Sequence, residues 1–428
     1  MHQTLTRSVT GVPITVAADL LDRLDQRQRA ALTAGADYWR TRTVDGVLGA
    51  ALKFTDGPVG ARGDLTSGTT STCFPCGSAV GATWDVSLAR QLGAALAAET
   101  RAKSAHVLLA PTVNLHRHPL AGRNFECMSE DPELTARLAS ALIGGLQDAG
   151  VGACIKHFAA NDQETERMSV DVQVDERTLR EVYLRPFEAA VAEADPWTVM
   201  AAYNKVNGDY ATASHRLLVE ILKREWAWDG AVISDWWATH DTVTAALGGL
   251  DLEMPGPGSW LGPPLAEAVE RGEVPAEVVD EMATRLLRLI DRAGLLGPDP
   301  SSGAHELPER SDESPERTAI ARRVATESIV LLRNERRTLP LPLDLASIAV
   351  IGPAAHPGFA LGGGSALVHP HRLISPVDGL RTALPETAIS TARGCPHGRF
   401  APPIRPDLLT DGGWLAEFWN NGESEPVH

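Results

Sequence analysis

A chain of 428 residues, 43% hydrophobic and 22% charged, is long enough for two or three domains with sizeable cores. Its formal net charge of −16 repels polyanions and argues against a nucleic-acid partner, while leaving a neutral substrate such as a sugar unaffected. No stretch reaches the roughly 20 apolar residues of a membrane span, and Met1–Ala18 lacks a basic start followed by an apolar run, so the expectation is no membrane association and a cytoplasmic protein by default.

From Leu48 to Pro255 short apolar runs alternate with amphipathic stretches. The runs are Leu48–Phe54, His106–Ala110, Val151–Ile155, Thr198–Ala202, Ala231–Ile233 and Leu250–Met254. Helical patterns lie between them at Leu134–Gln147, Leu179–Glu193, Arg216–Trp226 and Asp241–Leu247. Alternation of this kind predicts α/β architecture with parallel strands buried on both faces. The number of units fits a (β/α)8 TIM-like barrel over 1–296 better than an open sheet, because Gly57-Pro-Val-Gly60 is a turn and not a phosphate-binding glycine loop. A Pro-, Ser- and Glu-rich stretch, 297–315, reads as a linker. Beyond it, a helix (Glu316–Glu327) and apolar strands (Ser328–Leu332 and Ile348–Ile351) predict the opening of an α/β-sandwich domain over 316–405, with Gly362–Ser365 as a flexible loop. Proline-rich sequence (Ala401–Pro406) leads to an amphipathic strand, Trp414–Asn420, close to the last residue, so this second domain is expected to be incomplete.

Polar groups recur where the apolar runs of the first region end: Asp56, Asn114, Lys156 with His157, Tyr203 with Asn204, Asp235, and Asp251 with Glu253. In a barrel those ends converge on one mouth. An unpaired charge held near a core costs several kcal/mol, so a whole series of them points to a site. Asp235, in Ile233-Ser-Asp-Trp-Trp237, is a carboxylate beside aromatic faces of the kind that stack on sugar rings. The competing structural role is a helix N-cap, but a better cap waits at Thr239–Asp241. Lys156 and His157 can donate to vicinal hydroxyls, or Lys156 can form a Schiff base with a carbonyl substrate; the residues alone leave both open. Arg123 supplies a rigid fork of donors that Glu126 could orient, and the Tyr203 hydroxyl could keep Asp235 ionised. His116-x-His118 has metal-ligand spacing, yet only His157 follows at a later strand end, so no metal is expected. Cys73-x-x-Cys76 has no second pair, and the five cysteines read as ordinary reduced thiols.

Taken in order, these stretches resemble glycoside hydrolase family 3, in its bacterial β-glucosidase-like branch. The resemblance rests on Lys53-Phe-Thr-Asp-Gly-Pro58 with Arg62, Phe74-Pro-Cys-Gly77, Gly122-Arg-Asn-Phe-Glu126, Lys156-His-Phe158 with Asn161-Asp-Gln-Glu164, Ala202-Tyr-Asn204, Ser234-Asp-Trp236 and Gly249–Pro255. It implies that Asp235 is the nucleophile of a retaining hydrolase that removes a terminal β-D-glucosyl residue through a covalent glycosyl-enzyme. It also implies that Asp56 holds distal hydroxyls, that Arg62, Arg123, Lys156 and His157 surround the sugar, that Met200 lines the pocket, that Tyr203 supports the nucleophile and that Trp236 flanks the aglycone. No metal or cofactor takes part, and the partner is a β-glucoside. The run Lys156-His-Phe-Ala-Ala-Asn-Asp162 departs from the Lys-His-Phe-Pro-Gly of the family's N-acetylglucosaminidases. The resemblance also makes 406–428 the first strand region of a PA14-type insert. In this branch the acid/base glutamate follows that insert, so no acid/base residue is expected in the chain. A non-catalytic sugar-binding remnant and a β-xylosidase-type specificity are the alternatives.

Overall fold

The computed structural model describes residues 15–64, 68–296, 307–356, 358, 361 and 363–395. It forms two units, one built from residues 1–335 with 360–373 and the other from 336–359 with 374–428.

In the first unit the apolar runs become parallel strands β1 (Phe54–Asp56), β2 (Val107–Leu109), β3 (Gly152–Phe158), β5 (Thr198–Ala201) and β8 (Ala231–Ser234), neighbours in that order. Every residue in these five strands is buried, as sheets covered on both faces require. Three two-residue strands, β4 (Asp171–Val172), β6 (Lys205–Val206) and β7 (Asp209–Tyr210), make a separate small sheet. Single-residue pairings carry the main sheet round. Ile233 pairs with Leu252 and Glu253 with Ala34, then Gly35 with Thr41 and Arg40 with Lys53 in antiparallel sense, which returns the sheet to β1. The TIM-like barrel is therefore present, with an antiparallel step near its first strand that strand–helix alternation does not announce.

Amphipathic helices cover the barrel. Asp85, Asp131, Asp175 and Asp241 each accept backbone N–H groups of the helix that follows, a cap worth about 1 kcal/mol apiece. Helices Val86–Ala102 and Pro132–Asp148 pack closely because Gly93 and Gly145 each lie against the backbone of the opposite helix; a Cβ at either would run into a carbonyl, of Leu142 or Arg90 respectively. No helix among the described residues is long and apolar enough to cross a membrane.

Several boundaries differ from the sequence expectation. Leu48, Ala50 and Leu52–Phe54 of the run Leu48–Phe54 are buried, but the regular strand begins only at Phe54. β3 continues past Ile155 to Phe158, so Lys156 and His157 stand inside the strand instead of after it. Residues 297–306 of the expected linker lie outside the described residues, and the rest of it is a strap bonded to the barrel. Glu309 accepts from Lys53 Nζ (2.7 Å), Asp64 N–H (2.7 Å) and Thr69 Oγ1 (3.2 Å), holding the loop that carries Arg62. Helix Pro315–Glu327, expected to open the second domain at 316, belongs to the first unit: Val324 is 1% exposed in its core and Arg317 pairs with buried Glu99 at 2.7 Å. The expected strand Ser328–Leu332 finds no partner among the described residues and leaves Leu332 92% exposed, since an extended segment without a ladder buries neither face. Gly362 of the expected loop Gly362–Ser365 lies outside the described residues; the segment after it contributes to the first unit, where Ala366 and Val368 bury against Val59.

The second unit contains β9 (Ser347–Ile351) paired in parallel with β10 (Ala388–Ala392) and the helix Pro376–Ala383, whose start is closed by a Ser375–Asp378 capping box. This is an α/β arrangement. The expected PA14-type segment, 406–428, lies outside the described residues.

Candidate active site

β1 ends on Asp56, β3 on Lys156–Phe158, and β5 and β8 are followed by Tyr203 and Asp235. Parallel strands share one direction, so these groups collect on one rim. Asp235 is 8% exposed. Its carboxylate accepts the Trp236 N–H at 2.7 Å and the Tyr203 hydroxyl, and Oδ2 lies 3.5 Å from His157 Nε2. Burial raises the Asp235 pKa above the usual carboxylate range, while Arg123, Lys156 and the two hydrogen bonds favour the ionised form. The following helix starts at Thr242 and is capped by Asp241, which accepts Thr244 N–H at 2.7 Å, so Asp235 has no capping duty.

Asp56 faces two cations, Lys156 Nζ at 3.9 Å and Arg62 Nη1 at 3.8 Å. Burial still pushes its pKa up to about 6 from 3.8. Because the folded value is the higher one, the folded chain binds one more proton than the unfolded chain between those values. The stability contributed by that proton is present at low pH and lost as pH rises through about 6. Arg123 bonds Glu126 through Nε (3.1 Å) and Nη2 (2.8 Å), with Glu164 at 4.0 Å. Glu126 thus orients the guanidinium and does not cap a helix at Ser129.

Met200 and Trp236 are buried, as Lys156 and His157 are. Met200 is 1% exposed, in one apolar cluster with Cys154 and Ile233, and pairs in register with Lys156. Trp236 is 6% exposed, its indole packed 5.5 Å from Trp39 and its Nε1 donating to the Tyr38 carbonyl at 3.1 Å. The turn after Asp235 sends Trp236 inward and leaves Trp237, 61% exposed and edge-on to Tyr38, as the open aromatic face.

Two strand-end carboxylates counted toward the mouth are committed to the scaffold. Asp251 is fully buried, bonded to Lys223 Nζ (2.7 Å) and the Val232 N–H (2.8 Å). Glu253 accepts the N–H groups of Ser259, Trp260 and Leu261. His116 Nε2 lies against the carbonyls of Asn124 and Cys127, and the His118 ring accepts the Leu120 N–H. Among the described residues no three His, Cys, Asp or Glu side chains group as a metal site. Cys73 is half-buried and its thiol pKa is pushed up to about 11 by burial and by Cys76.

The sequence pattern did not single out Tyr38 and Arg167. Tyr38 lies close enough to Asp56 and Asp235 for both carboxylates, after burial, to raise its pKa. Its only signal was an aromatic doublet, Tyr38-Trp39, in a chain with 5% aromatics. Arg167 places its guanidinium 4.7 Å from the Tyr203 ring and pairs with Glu164 at 2.7 Å. Nothing in one sequence distinguishes it from a surface arginine.

Residues 6–289 match the model of the glycosyl hydrolase family 3 N terminal domain, and 329–424 that of the family's C-terminal domain. The chain belongs to glycosyl hydrolase family 3. As a family 3 chain it is 44% identical over 417 residues to a beta-glucosidase of Rhizobium radiobacter, covering 96% of this chain and 49% of that protein. It is 42% identical to beta-glucosidase B of Emericella nidulans, over 94% of this chain and 48% of that one. Among solved structures it resembles a beta-glucosidase from Kluyveromyces marxianus in complex with glucose, with TM-score 0.84 and 36% identity over 90% of this chain and 46% of that one. Beta-glucosidase 3B from Thermotoga neapolitana in complex with glucose gives TM-score 0.80 and 35% identity, over 88% and 55%. The family 3 chain thus spans about half the length of the curated relatives it matches.

Proposed function

We propose that this chain carries the nucleophile and the sugar-binding residues of a retaining β-glucosidase. The observation that supports it is the convergence of Asp235, His157, Lys156, Asp56 and Arg62 on one barrel rim through contacts of 3.5–3.9 Å across three different strands, with the Arg123 charge acting on Asp235. Aromatic Tyr38 and Trp237 stand beside them.

In this mechanism an Asp235 oxygen attacks the anomeric carbon as the glycosidic C–O bond breaks, giving a covalent glycosyl-enzyme. The leaving oxygen takes a proton from a general acid, or departs as an anion when it is acidic enough to need none. Water then cleaves the ester and restores the carboxylate. Asp56 and its two cations hold hydroxyls away from the reacting centre, and the Arg123 guanidinium favours the anionic nucleophile. No residue of this chain is assigned the acid/base role.

The test is incubation with a 2-fluoroglucoside bearing a very acidic leaving group. Intact mass should rise by one fluoroglucosyl unit, mapped to the peptide holding Asp235. Glucose binding by calorimetry without labelling would instead identify a non-catalytic remnant, and faster labelling by the 2-fluoroxyloside would identify a xylosidase. Neither binding nor labelling in a folded chain would end the proposal.

Two further outcomes are expected of the site. Tyr203→Phe removes a donor to Asp235, so the labelling rate should fall about tenfold and the acidic limb of its pH profile should move to higher pH, because the carboxylate loses a bond that favours its charge. Glucose affinity should rise about tenfold as pH climbs through about 6, because an ionised Asp56 is the stronger acceptor; calorimetry at pH 5 and 7 reads it. Affinity independent of pH across that window would remove Asp56 from the sugar contacts.

A further inference from the structure

Asn114 lies beyond the end of β2 and faces His157 across the barrel rim; they are 4% and 2% exposed. The His157 N–H donates to Asn114 Oδ1 at 2.9 Å, and Asn114 Nδ2 donates to the His157 carbonyl at 3.0 Å. These two bonds fix which way the amide points, since a flipped amide would set donor against donor and acceptor against acceptor. The imidazole Nδ1 lies 3.1 Å from the same Oδ1. An amide oxygen can only accept, so Nδ1 carries a proton.

Charge decides the other ring nitrogen. Burial, with Arg123, Lys156 and Arg167 nearby, holds the His157 pKa well below 6.5, so the ring is neutral and Nε2 bears a lone pair. That lone pair faces Asp235 Oδ2 at 3.5 Å, longer than the 2.7–3.2 Å of an ordinary N–H···O bond. Two acceptors, His157 Nε2 and Asp235 Oδ2, thus stand side by side, and Nε2 is left open to a donor from a ligand.

We propose that Asn114 is a positioning residue that locks His157 in the Nδ1–H tautomer, so that Nε2, beside the Asp235 carboxylate, accepts a hydrogen bond from a ligand hydroxyl. The Nε2–H tautomer, usually preferred by an unconstrained imidazole, would fill the gap with its own proton and turn a hydroxyl's donor away. The ligand half of the proposal rests on the sugar-binding function proposed above; the tautomer half stands on the hydrogen bonds alone.

The experiment is two-bond proton–nitrogen correlation of the full chain with nitrogen-labelled histidines at pH 7, with the His157 signals assigned by their loss in His157→Gln. The expected pattern is a pyrrole-type nitrogen at Nδ1 and a pyridine-type nitrogen at Nε2. The reverse pattern, or two pyrrole-type nitrogens, overturns the proposal on the wild-type chain. In Asn114→Leu the ring should switch to Nε2–H, and a folded variant that keeps Nδ1–H would show that Asn114 is not the lock. Saturating glucose should shift the Nε2 resonance toward the hydrogen-bonded range. No shift in a chain that binds glucose by calorimetry overturns the ligand half, whereas no binding at all counts against the glucosidase function and leaves the tautomer decided separately.

Discussion

Asp235→Ala is expected to slow glycosyl transfer from an activated aryl glucoside by on the order of 10⁴–10⁶-fold, the usual loss when a nucleophile is removed, with no mass increase on the 2-fluoroglucoside. The carboxylate occupies the point where Arg123, Tyr203, His157 and the Trp236 N–H meet. A small anion can take its place: azide should enter the space left by the carboxylate and attack from the same face, giving the α-glucosyl azide. That stereochemistry is the discriminating readout. A β-azide product, or labelling that persists in the variant, would place the nucleophile elsewhere.

Lys223→Met should destabilise the first unit by about 3–5 kcal/mol, the cost of leaving a buried charge without its partner. By thermal unfolding that is a fall of roughly 10 °C. Asp251 is 0% exposed and holds the Val232 N–H at 2.8 Å, so it cannot turn outward to find water without giving up β8, the strand that presents Asp235. Adding Asp251→Asn to Lys223→Met removes the charge but keeps an acceptor for Val232, and should recover most of the loss. If the single variant melts like the wild type, Asp251 is not the keystone that its burial indicates. If the double variant is no better than the single, the damage comes from lost lysine packing instead.

Asp251 also marks where the sequence could not be decisive. In the chain it looks no different from Asp56 or Asp235: an acid at the end of an apolar run. What separates them is distance. Lys223 sits on a helix 28 residues earlier and folds its ammonium onto Asp251, whereas Asp56 meets its lysine across the rim at 3.9 Å and remains partly open. Glu253 shows the same effect, its two oxygens spent on three backbone N–H groups of the next turn. Trp236 and Trp237 differ for a local reason, since consecutive residues in a tight turn point in different directions and sequence alone cannot tell which one turns inward.

The sequence by itself determined the barrel class, the family and the presence of polar residues where the strands end. Burial of parallel strands on both faces forces apolar runs, and a site at their carboxyl ends forces polar residues right after them; both are one-dimensional signals. Only the tertiary structure decided which of those polar residues face each other. It also revealed that antiparallel bridges at Gly35–Thr41 and Arg40–Lys53 lead the sheet back to β1, that Glu309 straps the Arg62 loop at Asp64 from 245 residues away in the chain, and that Asn114 Oδ1 meets the His157 ring at 3.1 Å. The physical reason is that hydrogen bonds and ion pairs reach about 3–4 Å. Whether two side chains come within that reach is settled by packing, and spacing along the chain carries no record of it.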